Sequence, residues 1–536
     1  MELNGRMMYI MQDLAESENG ELSVGQLCET HGIKKRTFYY DIKKINSLLE
    51  ENGIERIILD NGICIASNSC KKGISRIISD NSIRYYNSAE ERKTIISVIV
   101  GLSGEKITAS YFCNLFDISK NTLLSDLRII KKELAERRAV LDYDRYGGYV
   151  FSGSEVTIRS FIISEFRKIK SHKTKDQIIS LVNKYFADKL GERDYWLILK
   201  ECLVIYEELQ GTDIVDVDIE SCVFTLAVSF ARSLYGHKYN VQNKDRMIRD
   251  TRAFESAKVM MRRIEECLGL KAYNAEIYYV VPRLLSRQIF RHMESGEEDP
   301  AIAEFTDSFM RNVEYIGNKS FRNRDSIRKK LIHHVGPMMY RLAYGISLEN
   351  PIAVSIRSNY GDSLEIARKA VMVTDPKIGK AISEDELCYL AIYIASGTVQ
   401  LKSKNSKHRV LIICAEGVAA ALMIQIQLEE LLGECYLFEI SSIKRVMDIK
   451  LEDYLLVVTT LDNEYLENKA IRVKLLLSDD DKKKVFNALN QKTIMTCVSP
   501  NDLLEIIQKH YGSGIVSEME LNKELLNLLV THSVED

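Results

Sequence analysis

At 536 residues the chain is too long for a single hydrophobic core and should divide into several domains of roughly 100 residues each. Its 46% hydrophobic and 28% charged content is ordinary for a soluble globular protein. A net charge of −3 excludes attraction to nucleic acid by a global field, so any DNA contact must come from local basic faces.

The opening stretch, Met1 to Leu14, mixes polar and apolar residues and lacks the apolar run of a signal peptide. No later stretch reaches the roughly 18 uninterrupted apolar residues of a membrane span. The eleven cysteines are scattered singly, without metal-like spacing to histidine. These features predict a cytoplasmic protein with reduced thiols, no metal and no cofactor.

The first elements come in duplicate. Shifted by 85 positions, two segments align without gaps. Leu22-Ser23 falls on Ile107-Thr108, Leu27-Cys28 on Phe112-Cys113, Ile33 on Ile118, Thr37 on Thr122, Asp41 on Asp126, and Gly62 on Gly147. Each copy predicts a helix (Arg6 to Leu14; Glu90 to Ile99), then a short helix opened by Ser23 or Thr108, both good N-cap residues. A turn at His31-Gly32-Ile33 or Phe116-Asp117-Ile118 leads to a longer helix from Lys34 or Ser119, and a hairpin closes on Asn61-Gly62 or Gly147-Gly148. That order is a winged helix-turn-helix, predicted at 1–66 and again at 84–153. On the longer helices Phe38, Ile42, Ile45 and Leu49, and in the repeat Leu123, Leu127, Ile130 and Leu134, form the buried face. The opposite faces carry Arg36, Thr37, Tyr40, Lys43, Lys44 and Ser47, and Asn121, Thr122, Ser125, Arg128 and Lys132. Short polar side chains near such a helix start reach base edges, and lysine and arginine further along hold phosphates. A single module of this kind also reads as a solvated or protein-binding face; two in tandem favour duplex DNA.

From Thr157 to Gln400 apolar residues recur at helical spacing, and the region divides near Glu297 to Pro300. Cys222 to Arg232 matches Leu331 to Arg341, and Glu276 through Tyr279 to Arg283 matches Glu386 through Tyr389 to Tyr393. His334, Pro337, Arg341 and Asn350-Pro351, with Glu384 to Tyr393, resemble the motifs of PTS-regulation domains (PRDs) in bacterial regulators of sugar operons of the BglG, LicR and MtlR type. The tandem modules resemble the winged or Mga-like modules of that family's DNA-binding members. The resemblance implies a first PRD at 157–296 and a second at 300–400, each accepting phosphate on paired histidines. Here Thr225 and Arg283 stand at the first pair of places, and Tyr393 at one of the second; His334 alone remains. It is either a phosphoacceptor, with Arg341 on its face, or a hydrogen-bonded structural histidine. Pro337 is expected to kink its helix, and Arg283 to pair with a carboxylate.

After the polar stretch Lys402 to Lys407, a strand Arg409 to Cys414, a helix Val418 to Leu432, a strand Tyr454 to Thr459 and an apolar stretch Val473 to Leu477 predict a parallel α/β module at 408–500. It resembles the IIB domains of sugar phosphotransferases, which carry phosphate on a cysteine after the first strand, here Cys414. The loop departs from that family: Cys414-Ala-Glu-Gly417-Val-Ala-Ala-Ala421 keeps one glycine and puts Glu416 by the anion's seat, so a structural thiol is the competing reading. A helical tail is expected over 501–536, with Leu521, Leu525, Leu528 and Leu529 in one stripe.

The expected whole is a mainly α multidomain protein: two winged helix-turn-helix modules, two all-helical PRDs and one small α/β domain. The expected function is DNA-binding transcriptional regulation, activation being favoured over repression, under control of phosphotransferase-dependent phosphorylation. Its expected partners are a double-stranded operator, HPr, sugar-specific phosphotransferase proteins and a second copy of the chain. The rivals are the same architecture with decayed phosphorylation sites, a phosphocysteine phosphotransferase, and an RNA antiterminator.

Overall fold

The computed structural model describes residues 3–492 apart from 18–19, 31–32, 80–84, 104–105, 147, 170, 243–244, 246–247, 272–273, 288, 292–298, 319, 322–323, 349, 351, 398–407, 433–435, 462, 464 and 467–468. The expected tail with its leucine stripe, the Lys402–Lys407 stretch, His31, Gly32, Gly147 and Pro351 lie outside the described residues. Two compact units account for the chain. One comprises Met1–Leu199, Phe224–Val241 and Ile264–Glu276; the other comprises Lys200–Val223, Gln242–Arg263 and the chain from Ile277.

In the first unit, β1 (Leu3–Asn4) leads into α1 (Gly5–Glu16), which buries Met7, Met8, Ile10, Met11 and Leu14. β2 (Glu21–Ser23), α2 (Val24–Thr30) and α3 (Lys35–Glu51) follow, then β3 (Ile58–Asp60) and β4 (Ile63–Ile65), in an antiparallel sheet of order β2-β4-β3. Asn61 and Gly62 join β3 to β4 with φ of 45° and 82°, the two left-handed residues that a two-residue type I′ hairpin demands. The module's core runs past its expected end at residue 66, because α4 (Asn68–Ser79) adds Cys70, Ile74 and Ile77 to it.

β5 (Tyr85–Tyr86) pairs with β1, and the second copy follows: α5 (Ala89–Leu102), α6 (Ala109–Phe116), α7 (Lys120–Glu136), β6 (Val140–Asp144) and β7 (Gly148–Ser152). Thr108 caps α6 and Ser119 caps α7 through their side-chain oxygens. The repeat extends to single hydrogen bonds. Ile33 N–H donates to the Cys28 carbonyl at 2.9 Å, and Ile118 N–H to the Cys113 carbonyl at 3.1 Å. Gly148 is irreplaceable by geometry: at φ 74°, a Cβ there would lie 2.1 Å from the Ile107 carbonyl oxygen.

α8 (Glu155–Arg167) and α9 (His172–Leu190) pack on α5. α10 (Tyr195–Gln210), β8 (Thr212–Ile214), α11 (Asp216–Leu234), α12 (Arg252–Leu268), α13 (Glu276–Leu285) and β9 (Ile289–Arg291) complete the middle, β8 pairing antiparallel with β9.

In the second unit, α14 (Pro300–Gly317), α15 (Arg324–Tyr344), α16 (Ala353–Asn359), α17 (Gly361–Thr374), α18 (Pro376–Ala381) and α19 (Glu384–Gly397) surround one core that includes Phe309, Leu331, Val371 and Leu390. α15 is helical without a break through Pro337. The α/β module contributes β10 (His408–Ile413), α20 (Val418–Leu432), β11 (Tyr436–Ser441), β12 (Leu456–Thr459), β13 (Ile471–Arg472) and α21 (Asp479–Lys492). Its sheet is parallel throughout, in the order β11-β10-β12-β13. β10 is covered on both faces. Val410 and Ile412 face α20 and α21, while Leu411 and Ile413 pack with Val446 and Leu451.

Two strands of this module go beyond the sequence reading. β11 is one that the apolar pattern does not announce, because Glu439 and Ser441 interrupt it; Arg409 pairs with Glu439 across the strands, at 2.8 Å from Nη2 to Oε1. β13 is the other, and it lies just before the apolar stretch Val473 to Leu477. Its ladder ends at Arg472, and the Leu477 N–H turns to the Gln427 side chain at 2.8 Å.

Candidate functional site

The two longer helices of the winged modules hold the DNA-contact candidates in the open. Arg36, Tyr40 and Lys43 are exposed and Thr37 and Lys44 half-buried on α3, and Tyr40 lies under the Lys44 ammonium at 4.8 Å. On α7, Asn121, Ser125, Arg128 and Lys132 are exposed, and Thr122 shares a 3.0 Å hydrogen bond with the capping Ser119. Both helices are anchored from behind in the same way. Asp41 is buried and held by both Arg6 guanidinium edges, its Oδ1 3.0 Å from Nη2. Asp126 is buried and takes Arg92 at 2.8 and 3.2 Å. A two-pronged arginine fixes the rotation of each helix about its axis, and so fixes which residues face outward. The repeat pairs Asp41 with Asp126 in sequence. What it does not reveal is that an aspartate on the apolar side takes a cation from the first helix of its module, α1 or α5. Residues of the β6–β7 hairpin, passed over by the helix-based reading, expose Tyr143 and Tyr146 beside the same module.

His334 sits in a closed cluster on α15 and α19. It is 4% exposed, and its Nε2 is 3.2 Å from Oε2 of Glu386, within ion-pair distance though outside hydrogen-bond geometry. Arg341 holds both oxygens of the same carboxylate, Nη2 to Oε2 at 3.0 Å, and its Nη1 donates to the Ser286 carbonyl at 2.6 Å. Tyr389 and Tyr393 flank the imidazole with ring centres at 5.4 and 5.5 Å. Burial pushes the His334 pKa below its ordinary value; Glu386 opposes that and Arg341 adds to it. Burial alone would raise the Glu386 carboxyl, but His334 and Arg341 hold it down at about 2. Arg341 does share the face of His334, seven positions earlier, as helical spacing anticipates.

The matching places in the first half build a different cluster. Thr225 is buried at the place that matches His334. Glu276, matching Glu386, is fully buried and bonded not to Arg232 but to Arg159 of α8, with Arg159 Nη2 to Oε1 at 3.1 Å, and to the Ser229 hydroxyl. Arg232, matching Arg341, turns instead to Glu155, Nη2 to Oε2 at 2.9 Å, and to the Gly101 carbonyl at the end of α5. Glu155 also accepts from Arg159 Nε at 2.7 Å, so one chain of charges runs from α5 through α8 to α11 and α13. Sequence reading missed Glu155 and Arg159. They lie outside the aligned halves, and the only signal was a charged i,i+4 pair at the start of an apolar helix. Arg283, expected beside a carboxylate, stacks at 3.4 Å over the Tyr279 ring and donates to the Tyr279 carbonyl at 2.8 Å.

Cys414 is fully buried at the end of β10. Its Sγ is 3.0 Å from Oε2 of Glu416, which also accepts from Thr460 Oγ1 at 3.0 Å. Burial, and then the Glu416 charge, push the thiol pKa far above its ordinary value, so the sulfur stays protonated. The arrangement suits a structural thiol and opposes a phosphate-carrying one. Among the described residues no group of histidine, cysteine and carboxylate side chains has metal-binding geometry, and no helix is long and apolar enough to cross a membrane.

Residues 307–397 match the PRD domain family. Over 326 residues the chain is 23% identical to the probable licABCH operon regulator of Bacillus subtilis (strain 168), an alignment covering 59% of this chain and 49% of that protein. It is 16% identical over 499 residues to transcriptional regulator ManR of the same organism, covering 91% of this chain and 76% of the relative. The chain therefore spans about half the length of the first of these relatives.

Proposed function

We propose, from the premise that this chain is a PRD-containing protein of the bacterial transcriptional-regulator kind, that it binds operator DNA through its two winged modules and activates transcription under phosphotransferase control. The observation that carries this reading is the duplicated helix whose polar face is exposed and whose rotation is fixed by a buried Arg–Asp pair. Arg36, Thr37, Tyr40, Lys43 and Lys44 serve one half-site, and Asn121, Thr122, Ser125, Arg128 and Lys132 the other. A homodimer in the cytoplasm matches a two-fold operator. Footprinting on the DNA flanking its own gene tests this. Arg36→Ala/Lys43→Ala and Arg128→Ala/Lys132→Ala should each weaken protection and lower the salt slope by about 1 for every phosphate no longer held. Unchanged protection in both double variants defeats the reading.

The phosphotransferase signal enters at His334, which shares one carboxylate with Arg341; a phosphoryl group of charge near −2 there would displace Glu386 and reorganise α15 against α19. Cys414, buried and protonated, takes no part in the signal. A second reading, the same architecture answering another signal, is favoured by the burial of His334. Incubation with phosphoenolpyruvate, enzyme I and HPr separates the two. Label on the wild type that disappears in His334→Ala supports the first, and no label supports the second.

A further inference from the structure

The described residues of the first unit line a partly open cavity of about 130 Å³ where the second winged module meets α9 and Tyr235. One wall is apolar: Ile99 and Leu102 of α5 and Leu181 of α9. Tyr185 of α9 and Tyr235, just past α11, face one another across it with ring centres 5.0 Å apart. The Tyr185 hydroxyl is buried, with the Tyr235 side chain its polar neighbour but no hydrogen bond of full geometry among the described residues. A buried phenol bonded this incompletely favours a ligand acceptor that completes it.

The mouth is charged with both signs. Lys184 and Asp188 lie one helical turn apart on α9, both exposed, and among the described residues neither is ion-paired. A wall of leucine-type carbons, a buried phenolic donor, and one cation and one anion at the rim describe a receptor for a molecule with an apolar tail and a zwitterionic head. The volume is close to that of a cavity that admits benzene, roughly 150 Å³, and so suits a body of about six to nine heavy atoms.

We infer that this cavity binds a free aliphatic α-amino acid of the leucine or valine type, its side chain against Leu102 and Leu181, its carboxylate on Lys184 and the Tyr185 hydroxyl, and its ammonium on Asp188. This goes beyond the phosphotransferase reading and is independent of it. Because the walls come from α5 and α6 on one side and from α9 and Tyr235 on the other, the occupant braces the second winged module against the residues behind it. The site is an input for amino-acid supply beside one for sugar.

Calorimetric titration of the full chain with L-leucine tests the inference, with isovalerate (no ammonium), isoamylamine (no carboxylate) and isoamyl alcohol (neither) as probes. L-Leucine should bind one per chain, and each of the three analogues at least about tenfold more weakly, the value of a lost charge-assisted hydrogen bond. Leu181→Trp should abolish binding by filling the cavity. Should that variant fail to fold, the surface changes Lys184→Ala and Asp188→Ala each lower affinity about tenfold in a protein with unaltered melting. No heat with L-leucine at up to about 10 mM, roughly 100-fold above a Kd of tenth-millimolar order, overturns the proposal. So does equal binding of isoamyl alcohol, which would leave an unselective apolar void, or wild-type affinity in both Lys184→Ala and Asp188→Ala.

Discussion

Arg232 and Glu276 in the first half of the helical middle match Arg341 and Glu386 in the second, yet the two pairs are wired differently. In the second half the arginine and the glutamate bond to each other and His334 shares the carboxylate, with one further bond from Arg341 to the Ser286 carbonyl. In the first half the histidine is replaced by Thr225, and a cation from outside, Arg159, takes the glutamate. Arg232 is released to hold Glu155 and the last turn of α5. Matched residue types thus make a titratable cluster around an imidazole in one place and a permanent strut to the end of α5 in the other. The difference lies in the third partner: an imidazole can lose its charge within the physiological range and a guanidinium cannot.

Removing one cation from each cluster should break the comparison most visibly. Arg159→Met leaves Glu276 buried with only the Ser229 and backbone donors, and should cost about 3–5 kcal/mol in urea unfolding. Arg341→Met should cost less at pH 6 than at pH 8, because His334 beside the orphaned carboxylate can take up a proton; equal losses at both pH values would show that His334 does not act as the reserve cation. Arg232→Met should cost about 3 kcal/mol and, unlike Arg341→Met, speed hydrogen exchange at the end of α5.

Thr225→His, which restores the missing imidazole by sequence, should not restore the cluster. The position is filled, Arg159 already neutralises Glu276, and overpacking should destabilise by about 1–3 kcal/mol. A stable variant that accepts phosphate would erase the difference between the halves.

The smallest effect is in pH. Folded His334 binds a proton more weakly than the unfolded chain does, so protonation favours unfolding: this contribution is complete above about pH 6.5 and drains away below it. Folded Glu386, held at about 2 against an ordinary 4.5, contributes stability that is present above 4.5 and lost as pH falls toward 2. Thermal unfolding from pH 8 to 4 should therefore show a decline beginning near 6.5 that His334→Gln diminishes, the rest coming from His237, which burial also holds below its ordinary value, while leaving the steeper fall below 4.5. A variant whose upper decline is unchanged would place the titrating group elsewhere.

Much of this is written in the chain itself. The 85-residue repeat locates the helices of both winged modules and, in the second copy, the caps at Thr108 and Ser119, because hydrophobic period and capping chemistry are local properties. Asn61-Gly62 specifies its hairpin for the same reason: two consecutive residues that tolerate positive φ are a local instruction. The outward faces of α3 and α7 follow from the inward ones. β11 escapes, since a six-residue strand bearing a charge that pairs across the sheet looks like a loop until its neighbour is known.

Sequence alone settles the repeated helices, the two hairpins, the helical character of the middle and the β10 and β12 strands, and that residues 334 and 341 share a side. Only the tertiary structure decides whom the buried charges meet. Arg159 finds Glu276 across 117 positions and Arg232 finds Gly101 across 131, and nothing local encodes either meeting. The physical reason is that a buried charge must be neutralised by something but not by anything in particular, so its partner is whichever opposite charge the packing of apolar faces delivers.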